Sequence, residues 1–447
     1  MNRQIKGFSK LSKQAKIEWL VKVHLNDHED GMKLINSYMH RDSAVQKIHD
    51  EFIENTVANY YLPFGVAPNF LINGEQYTIP MAIEESSVVA AASKSAKFWM
   101  SRGGFKSHVI SSKKIGHIHF IYDGHKDELV SLFSDIKADL LNSTSTITSN
   151  MRKRGGGISD ITLVDKTQEL DEYYQIEVKF ETCDSMGANF INSCLEKMAK
   201  SLIDLSEKHV KTSDKKLEII MSILSNYTPE CIVHSEVSCP ISELIDGPNF
   251  STDEFAKKFK LAVEIARIEP FRATTHNKGI MNGIDAVILA TGNDFRAVEA
   301  ACHTYAAKDG QYRSLTYCDI NDGIFKFWIQ IPLSLGTVGG LTKLHPLVKM
   351  SLNILGNPSA HKLMQIVATS GLAQNFAALK ALTTTGIQKG HMKMHLLNIL
   401  NQLGATEIEK EILQQHFSKS VPHHAEVVNA FNDLRGSKGP EVEEYHA

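Results

Sequence analysis

Lys114–Asp123 reads KIGHIHFIYD, and this stretch opens the run of patterns that decides the fold class. Apolar residues alternating with histidines, stopped by Gly124, predict a half-buried strand. HKDELVSLFSDIKADLL (125–141) then carries helical spacing, and SDITLVD (159–165) and DEYYQIEVKFET (171–182) read as two strands. A second helix over ANFINSCLEKMAKSLIDL (188–205) and a last strand over LEIIMSILS (217–225) complete the order β-α-β-β-α-β, that of a ferredoxin-like unit. Neither RGGGIS (154–159) nor GTVGG (336–340) gives GxGxxG between a strand and a helix, so the Rossmann fingerprint is missing.

A nucleotide site is sought instead at Asp184-Ser185-Met186-Gly187-Ala188-Asn189, between the third strand and the second helix. Gly187 and its small neighbours let a pyrophosphate approach the unpaired N–H groups of a helix start. Upstream, GFSKLSKQAKIEWLVKVH (7–24) predicts an amphipathic helix, with more helix to about Asn59 and a hairpin ending QYTIPMAIEE (76–85). Glu84-Glu85-Ser86-Ser87 opens an Ala-rich helix, where a glutamate serves either the helix dipole or acid catalysis.

Downstream, Arg272–Asp294 reads RATTHNKGIMNGIDAVILATGND. This predicts a polar loop holding Lys278, a short buried strand over Ala286–Ala290, and a Gly-Asn-Asp turn. Such a turn can return Asp294 to Lys278, keeping the ammonium charged and aimed at an electron-rich carbonyl. Asp294 is equally an ordinary N-cap for the helix FRAVEAACHTYAA.

With 447 residues, 43% of them hydrophobic, the chain can bury two or three domain cores. A net charge of -3 gives no reason to expect nucleic acid or an anionic membrane as partner. No window approaches a membrane span or a signal peptide, and the six cysteines lack metal-like spacing. A cytoplasmic protein with reduced thiols is expected.

HNKGIMNGIDAVILATGND (276–294) resembles the signature of 3-hydroxy-3-methylglutaryl-CoA (HMG-CoA) reductases, closest to the class II branch. ENTVANYYLPFGVAPNFLING (54–74), DSMGAN (184–189) and Gly390-His391-Met392 resemble further stretches of that family, so the likeness runs from about Leu11 to Leu400. It implies HMG-CoA reduction to mevalonate and coenzyme A by two hydride transfers. Glu85, Lys278, Asp294 and His391 are the catalytic positions it implies, with Ser87, Asn226, Arg272, Asn282 and Gln374 at the substrate. The cofactor falls to Asp184, Met186, Gly187, Asn189 and Asn192, with Ser185 where relatives carry Ala, and Ser86 replaces a usual Pro.

NAD-selective relatives carry an acid a few positions before the Gly triplet. The span Leu140–Asn150 has none, and Arg152, Lys153 and Arg154 follow it. Cations there suit a 2′-phosphate, so NADPH is expected over NADH, although MRKR also reads as a solvated turn. No metal is expected. The expected fold is α+β: a large mixed α/β substrate domain (1–112 and 221–378), an inserted ferredoxin-like domain (113–220), and a C-terminal helical flap (379–447). The resemblance further implies a homodimer, or a higher assembly of dimers, with the active site between subunits. Two alternatives stand beside this reading: a metal-dependent hydrolase using His391 and His395, and a catalytically silent acyl-CoA-binding paralogue.

Overall fold

The computed structural model describes residues 3–210, 212–244, 251–384, 396–417 and 423–436. Three helices come first: α1 (Lys13–His24), α2 (His28–Ser37) and α3 (Ser43–Asp50). Ser12, Asp27 and Asp42 cap them by accepting from first-turn backbone N–H groups. Helix was expected to about Asn59 but ends at Asp50, and Asn55 adopts a left-handed φ of 61° in the turns that follow. The expected hairpin forms from β1 (Phe64–Ile72) and β2 (Glu75–Ala82), and α4 (Val88–Met100) and β3 (Lys106–Val109) come next.

The ferredoxin-like order is observed: β4 (Lys114–Tyr122), α5 (Lys126–Ser143), α6 (Ser145–Arg152), β5 (Gly157–Asp165), β6 (Tyr173–Glu181), α7 (Ala188–Ser206) and β7 (Leu217–Leu224). Its sheet runs β5-β6-β4-β7 with every neighbour antiparallel. Leu129, Leu132 and Ile136 of α5 and Ile191, Leu195 and Met198 of α7 bury the face built from Ile118, Phe120, Ile176 and Val178. Helix α7 lies so close that a Cβ on Gly116 would come 2.6 Å from Leu195 Cδ1. Two details differ from expectation: α6 is an added helix, and β7 runs to Leu224, past the expected boundary at 220.

The remaining body contains β8 (Ile232–Pro240), α8 (Thr252–Ile268), α9 (Pro270–Ala290), α10 (Phe295–Ala306), β9 (Thr316–Asn321), β10 (Ile324–Pro332), α11 (Leu341–Leu344), α12 (Pro346–Ile354) and α13 (Ala360–Thr383). Its sheet has the order β3-β8-β10-β9, also antiparallel. Phe259, Phe325, Phe327 and Phe376 form a ring cluster beneath it with Trp99. Each such ring contributes about 1.5–3 kcal/mol on burial. Helix α13 continues to Thr383, so the expected division at 378 falls inside it.

One expectation is overturned. Ala286–Ala290 is not a strand but the last turn and a half of α9, which begins at Pro270 behind an N-cap formed by Glu269. Ala286, Val287, Ile288 and Ala290 are buried because β2, α8 and α13 all pack on this helix, which is apolar nearly all round its second half. A short apolar run has no period to tell strand from helix, and Gly279 and Gly283 give the preceding stretch the look of a loop. Gly283 instead serves the contact with α13, because a Cβ there would come 2.7 Å from the Ser370 carbonyl oxygen.

After residue 395, helical residues 396–402, α14 (Glu407–His416) and α15 (His424–Arg435) gather a small core of their own. Leu396, Leu400, Leu413, Phe417, Val427 and Phe431 compose it. The chain is thus α+β, as expected.

Candidate active site

Strand β2 packs along α9 and delivers Glu84 and Glu85, both exposed, to the turn before α4. Ser87 is that helix's N-cap, held at φ 72°, a left-handed conformation that non-glycine residues adopt only under constraint. Its hydroxyl makes no capping bond, so it faces outward with the first-turn N–H groups of α4 still open.

Arg272 lies in the first turn of α9, where Glu269 accepts from its backbone N–H at 2.6 Å. Its guanidinium is half-buried, and among the described residues it has no carboxylate or carbonyl partner. Burial draws its pKa below the ordinary value, so the charge is held at some cost. One turn on, His276 is buried and hydrogen-bonds Thr316 Oγ1 through Nε2 at 2.6 Å. Burial, with the charge of Arg272 adding to it, lowers His276 to about 3, so it is neutral.

Lys278 is exposed on α9 and has no partner among the described residues; Asn282, one turn further, shares its face. Asp294 lies beyond the far end of the same helix. Its Oδ1 caps α10 by accepting from the N–H groups of Arg296 (3.1 Å) and Ala297 (3.2 Å). Both carboxylate oxygens also accept from the Arg296 guanidinium, at 3.1 and 3.0 Å. Burial pushes this carboxyl up, but the bonds from Arg296 and Ala297 outweigh it and hold it below the ordinary range.

The expected Lys278–Asp294 pair is therefore not formed within one chain. The reason is the helix. Lys278 and Ala290 are twelve residues apart on α9, about 18 Å at 1.5 Å per residue. A fully stretched lysine reaches only about 6 Å.

The turn before α7 is built as a cradle. Gly187 adopts φ 90°, and a Cβ there would come 2.5 Å from Thr182 Cγ2. Ser185, standing where relatives carry Ala, strengthens the turn by accepting from the Gly187 N–H at 3.0 Å. No side chain caps α7, which leaves its first N–H groups available. Asn189 is exposed on that first turn.

Two expected cofactor residues also have partners within the fold. Asp184 Oδ1 accepts from the Ala360 N–H at 2.7 Å, tying the turn to the start of α13. Asn192 Oδ1 accepts from the Leu224 N–H at 2.9 Å and joins α7 to β7. The basic run Arg152–Arg154 is exposed and lies beside the cradle, since Cys183 Sγ donates to the Arg154 carbonyl.

The two regions meet at Gly336, whose N–H donates to Asn293 Oδ1 at 2.8 Å. A Cβ on Gly336 would come 2.5 Å from the Met186 nitrogen, and the Thr337 N–H donates to the Asp184 carbonyl at 2.9 Å. The end of the α9 signature is thereby fastened to the nucleotide turn. A cleft there is lined by Met186, Ala188, Ser225, Asn226, Ala297 and Lys114. The structure thus brings Met186, Gly187 and Asn226 to the start of α10, next to Asp294.

Gln374 is placed otherwise. It is only 7% exposed at the α9–α13 contact, and its amide oxygen has no hydrogen-bond partner. His391 and His395 lie outside the described residues. Sequence reading missed Asn293 and Lys114; a lysine at a core-facing strand position was the available signal for the latter.

A half-buried acid pair stands apart from these groups. Burial, then the charge and hydrogen bond of Glu299, push the Asp285 carboxyl well above its ordinary range, and its Oδ1 has no partner. The folded state therefore holds a proton that the unfolded state releases. This contribution is full below the ordinary carboxyl range and is lost as pH rises through the raised folded value. Asp285→Asn is expected to raise the unfolding midpoint by a few degrees at pH 8, by less at about pH 5, and by nothing measurable at about pH 3, below the ordinary carboxyl value. An unchanged pH slope in thermal melts would refute the shared proton.

Comparison with known proteins shows the family. Residues 14–396 match the family model described as hydroxymethylglutaryl-coenzyme A reductase. The 3-hydroxy-3-methylglutaryl-coenzyme A reductase of Archaeoglobus fulgidus is 36% identical over 91% of this chain and 88% of its own length. The probable reductase of Borreliella burgdorferi is 34% identical over 81% of this chain and 82% of its own. Among solved structures, the class II reductase of Streptococcus pneumoniae bound to NADPH in open conformations has a TM-score of 0.70 at 35% identity. It covers 85% of this chain and 99% of that one. Family match, relatives and fold together assign this chain to the hydroxymethylglutaryl-coenzyme A reductases, NAD(P)H-dependent oxidoreductases, in their class II branch.

Proposed function

We propose that two copies of this chain share each active site, where HMG-CoA and mevalonate plus coenzyme A are interconverted with NADPH as the preferred nicotinamide. The observation that carries this reading is the separation along α9. Among the described residues Lys278 has no partner on its exposed face, and Asp294 is too distant to serve it from the same chain. A second copy supplies the missing carboxylate.

At that joint site Lys278 stabilises negative charge developing on the carbonyl oxygen in each reduction. Asp294 of the other copy orients the ammonium, and Asn282 extends the polar network. Glu85 supplies a proton to the aldehyde oxygen, and His391 protonates the departing thiolate. Arg272 and Ser87 hold the far carboxylate of the substrate, turning binding energy into orientation of the reacting end. The helices gathered after residue 395 serve as the closing flap, which excludes water from intermediates.

The nucleotide fits the turn at Gly187, where a Cβ would fill the cradle and the first N–H groups of α7 are uncapped. When bound, it supplies the hydride. Arg152, Lys153 and Arg154 lie beside this turn and face no carboxylate partner among the described residues, which suits a 2′-phosphate.

Absorbance at 340 nm, followed with HMG-CoA and either NADPH or NADH, tests the reading. Oxidation with NADPH preferred is expected. Replacing all three basic residues by Ala should raise the KM for NADPH about tenfold or more and leave that for NADH within twofold. An equal effect on both would remove the 2′-phosphate assignment, and no oxidation with either would remove the function.

A further inference from the structure

Lys114 opens β4, and strand alternation puts it on the face of Gly116, Ile118 and Phe120, which α5 and α7 cover. It is only 4% exposed. An ammonium in that position loses its hydration, and it stands near the start of α7, where the helix dipole disfavours a cation. Burial lowers its pKa, and Cys231, Glu181, Cys183 and Asp184 act in the opposite sense.

What it touches explains its presence. Its Nζ donates to Thr182 Oγ1 and, at 2.9 Å, to the Ser185 carbonyl. Thr182 Oγ1 itself donates to the same carbonyl at 2.6 Å, and the Ser185 N–H returns to the Thr182 carbonyl at 3.1 Å. Both ends of the turn that precedes Gly187 are thus fastened from beneath by one buried side chain. An ammonium has three donors, and Lys114 also lines the cleft shared by Met186 and Asn226.

We propose that Lys114 is a positioning residue of the nucleotide site, fixing the Thr182–Met186 turn in the shape that presents the first N–H groups of α7 to a dinucleotide pyrophosphate. The inference rests on the reading of that turn as the nucleotide site. A lysine of purely structural value makes a different prediction. Without the ammonium the Ser185 carbonyl keeps the Thr182 hydroxyl as donor, so an apolar side chain of similar length costs little stability and, if Lys114 served the fold alone, would leave ligand affinity unchanged.

The test is a split between stability and affinity in the full-length protein. Lys114→Met is expected to keep or raise the unfolding midpoint while raising the NADPH dissociation constant about tenfold, with the KM for HMG-CoA within twofold. Thr182→Val should show the same selective loss, and the double variant should bind no worse than Lys114→Met, because both act through one bond network. Folded Lys114→Met with native NADPH affinity would overturn the proposal, as would an equal loss for both substrates. If Lys114→Met does not fold, Thr182→Val decides by the same two readouts. Gly187→Ala separates the two layers: if it too leaves NADPH binding native, the nucleotide-turn reading itself fails. If it alone weakens binding, only the role of Lys114 is lost.

Discussion

Lys278→Met lowers kcat by about 10³-fold or more, with the affinity for HMG-CoA little changed, because the ammonium acts on charge that exists only as the reaction proceeds. The expectation stands on placement. Lys278 is exposed on a helix whose second half is buried among β2, α8 and α13, and among the described residues it has no carboxylate partner. A surface lysine with no partner ordinarily changes stability by only a few tenths of a kcal/mol when replaced. The unfolding midpoint of Lys278→Met should therefore match the native one. Asp294 differs: it caps α10 and pairs with Arg296, so Asp294→Ala loses helix stability as well as catalysis. Asp294→Asn keeps an N-capping oxygen and is the cleaner variant. Stopped-flow or steady-state oxidation at 340 nm checks both. A Lys278→Met protein within tenfold of native kcat would contradict the assignment.

Arg272→Met raises the KM for HMG-CoA about a hundredfold, and Arg272→Lys does not restore it. A half-buried guanidinium with no carboxylate partner among the described residues loses hydration without compensation from them. A carboxylate from the substrate supplies that compensation in a planar, two-point geometry which an ammonium cannot reproduce. Removing the charge should also leave the unfolding midpoint unchanged or slightly higher, since no folded-state partner is lost. A large loss of stability with unchanged KM would show that Arg272 serves the fold instead.

How much of this was legible in the sequence varied with the kind of signal. The ferredoxin-like unit was readable almost residue by residue, because its strands alternate and its helices carry a single apolar face, as at Ile191, Leu195 and Met198. Helix α9 was not, because a central helix packed on several sides loses the periodic contrast that marks amphipathic segments. Its true start signals, Glu269 and Pro270, lie well upstream of the apolar run at Ala286–Ala290. Reading α9 as loop and strand also produced the Lys278–Asp294 pair within one chain, which the length of a helix forbids.

Strand β10 was legible in hindsight: Phe325, Phe327, Ile329 and Ile331 alternate inward, although no expectation was drawn from them. The site residues came from family resemblance more than from pattern, since Glu85, Ser87 and Lys278 are exposed polar residues without local periodicity. Sequence could not reveal that Asp184 and Asn192 are engaged by backbone N–H groups of distant elements, because those partners lie 176 and 32 residues away. The burial of Gln374 depends in the same way on Gly283, far off in the chain.

The shared site is tested most directly by mixing two inactive proteins. Lys278→Met and Asp294→Asn, each inactive alone, are unfolded or dissociated together, reassembled at equal amounts, and assayed for NADPH oxidation with HMG-CoA. If Lys278 and Asp294 of each site come from different copies, every mixed dimer contains one fully native site. Activity then returns to about a quarter of the native value, since half of randomly assorted dimers are mixed and half of their sites are intact. If a single chain supplies both residues, every site in the mixture carries one defect, no activity returns, and the account fails.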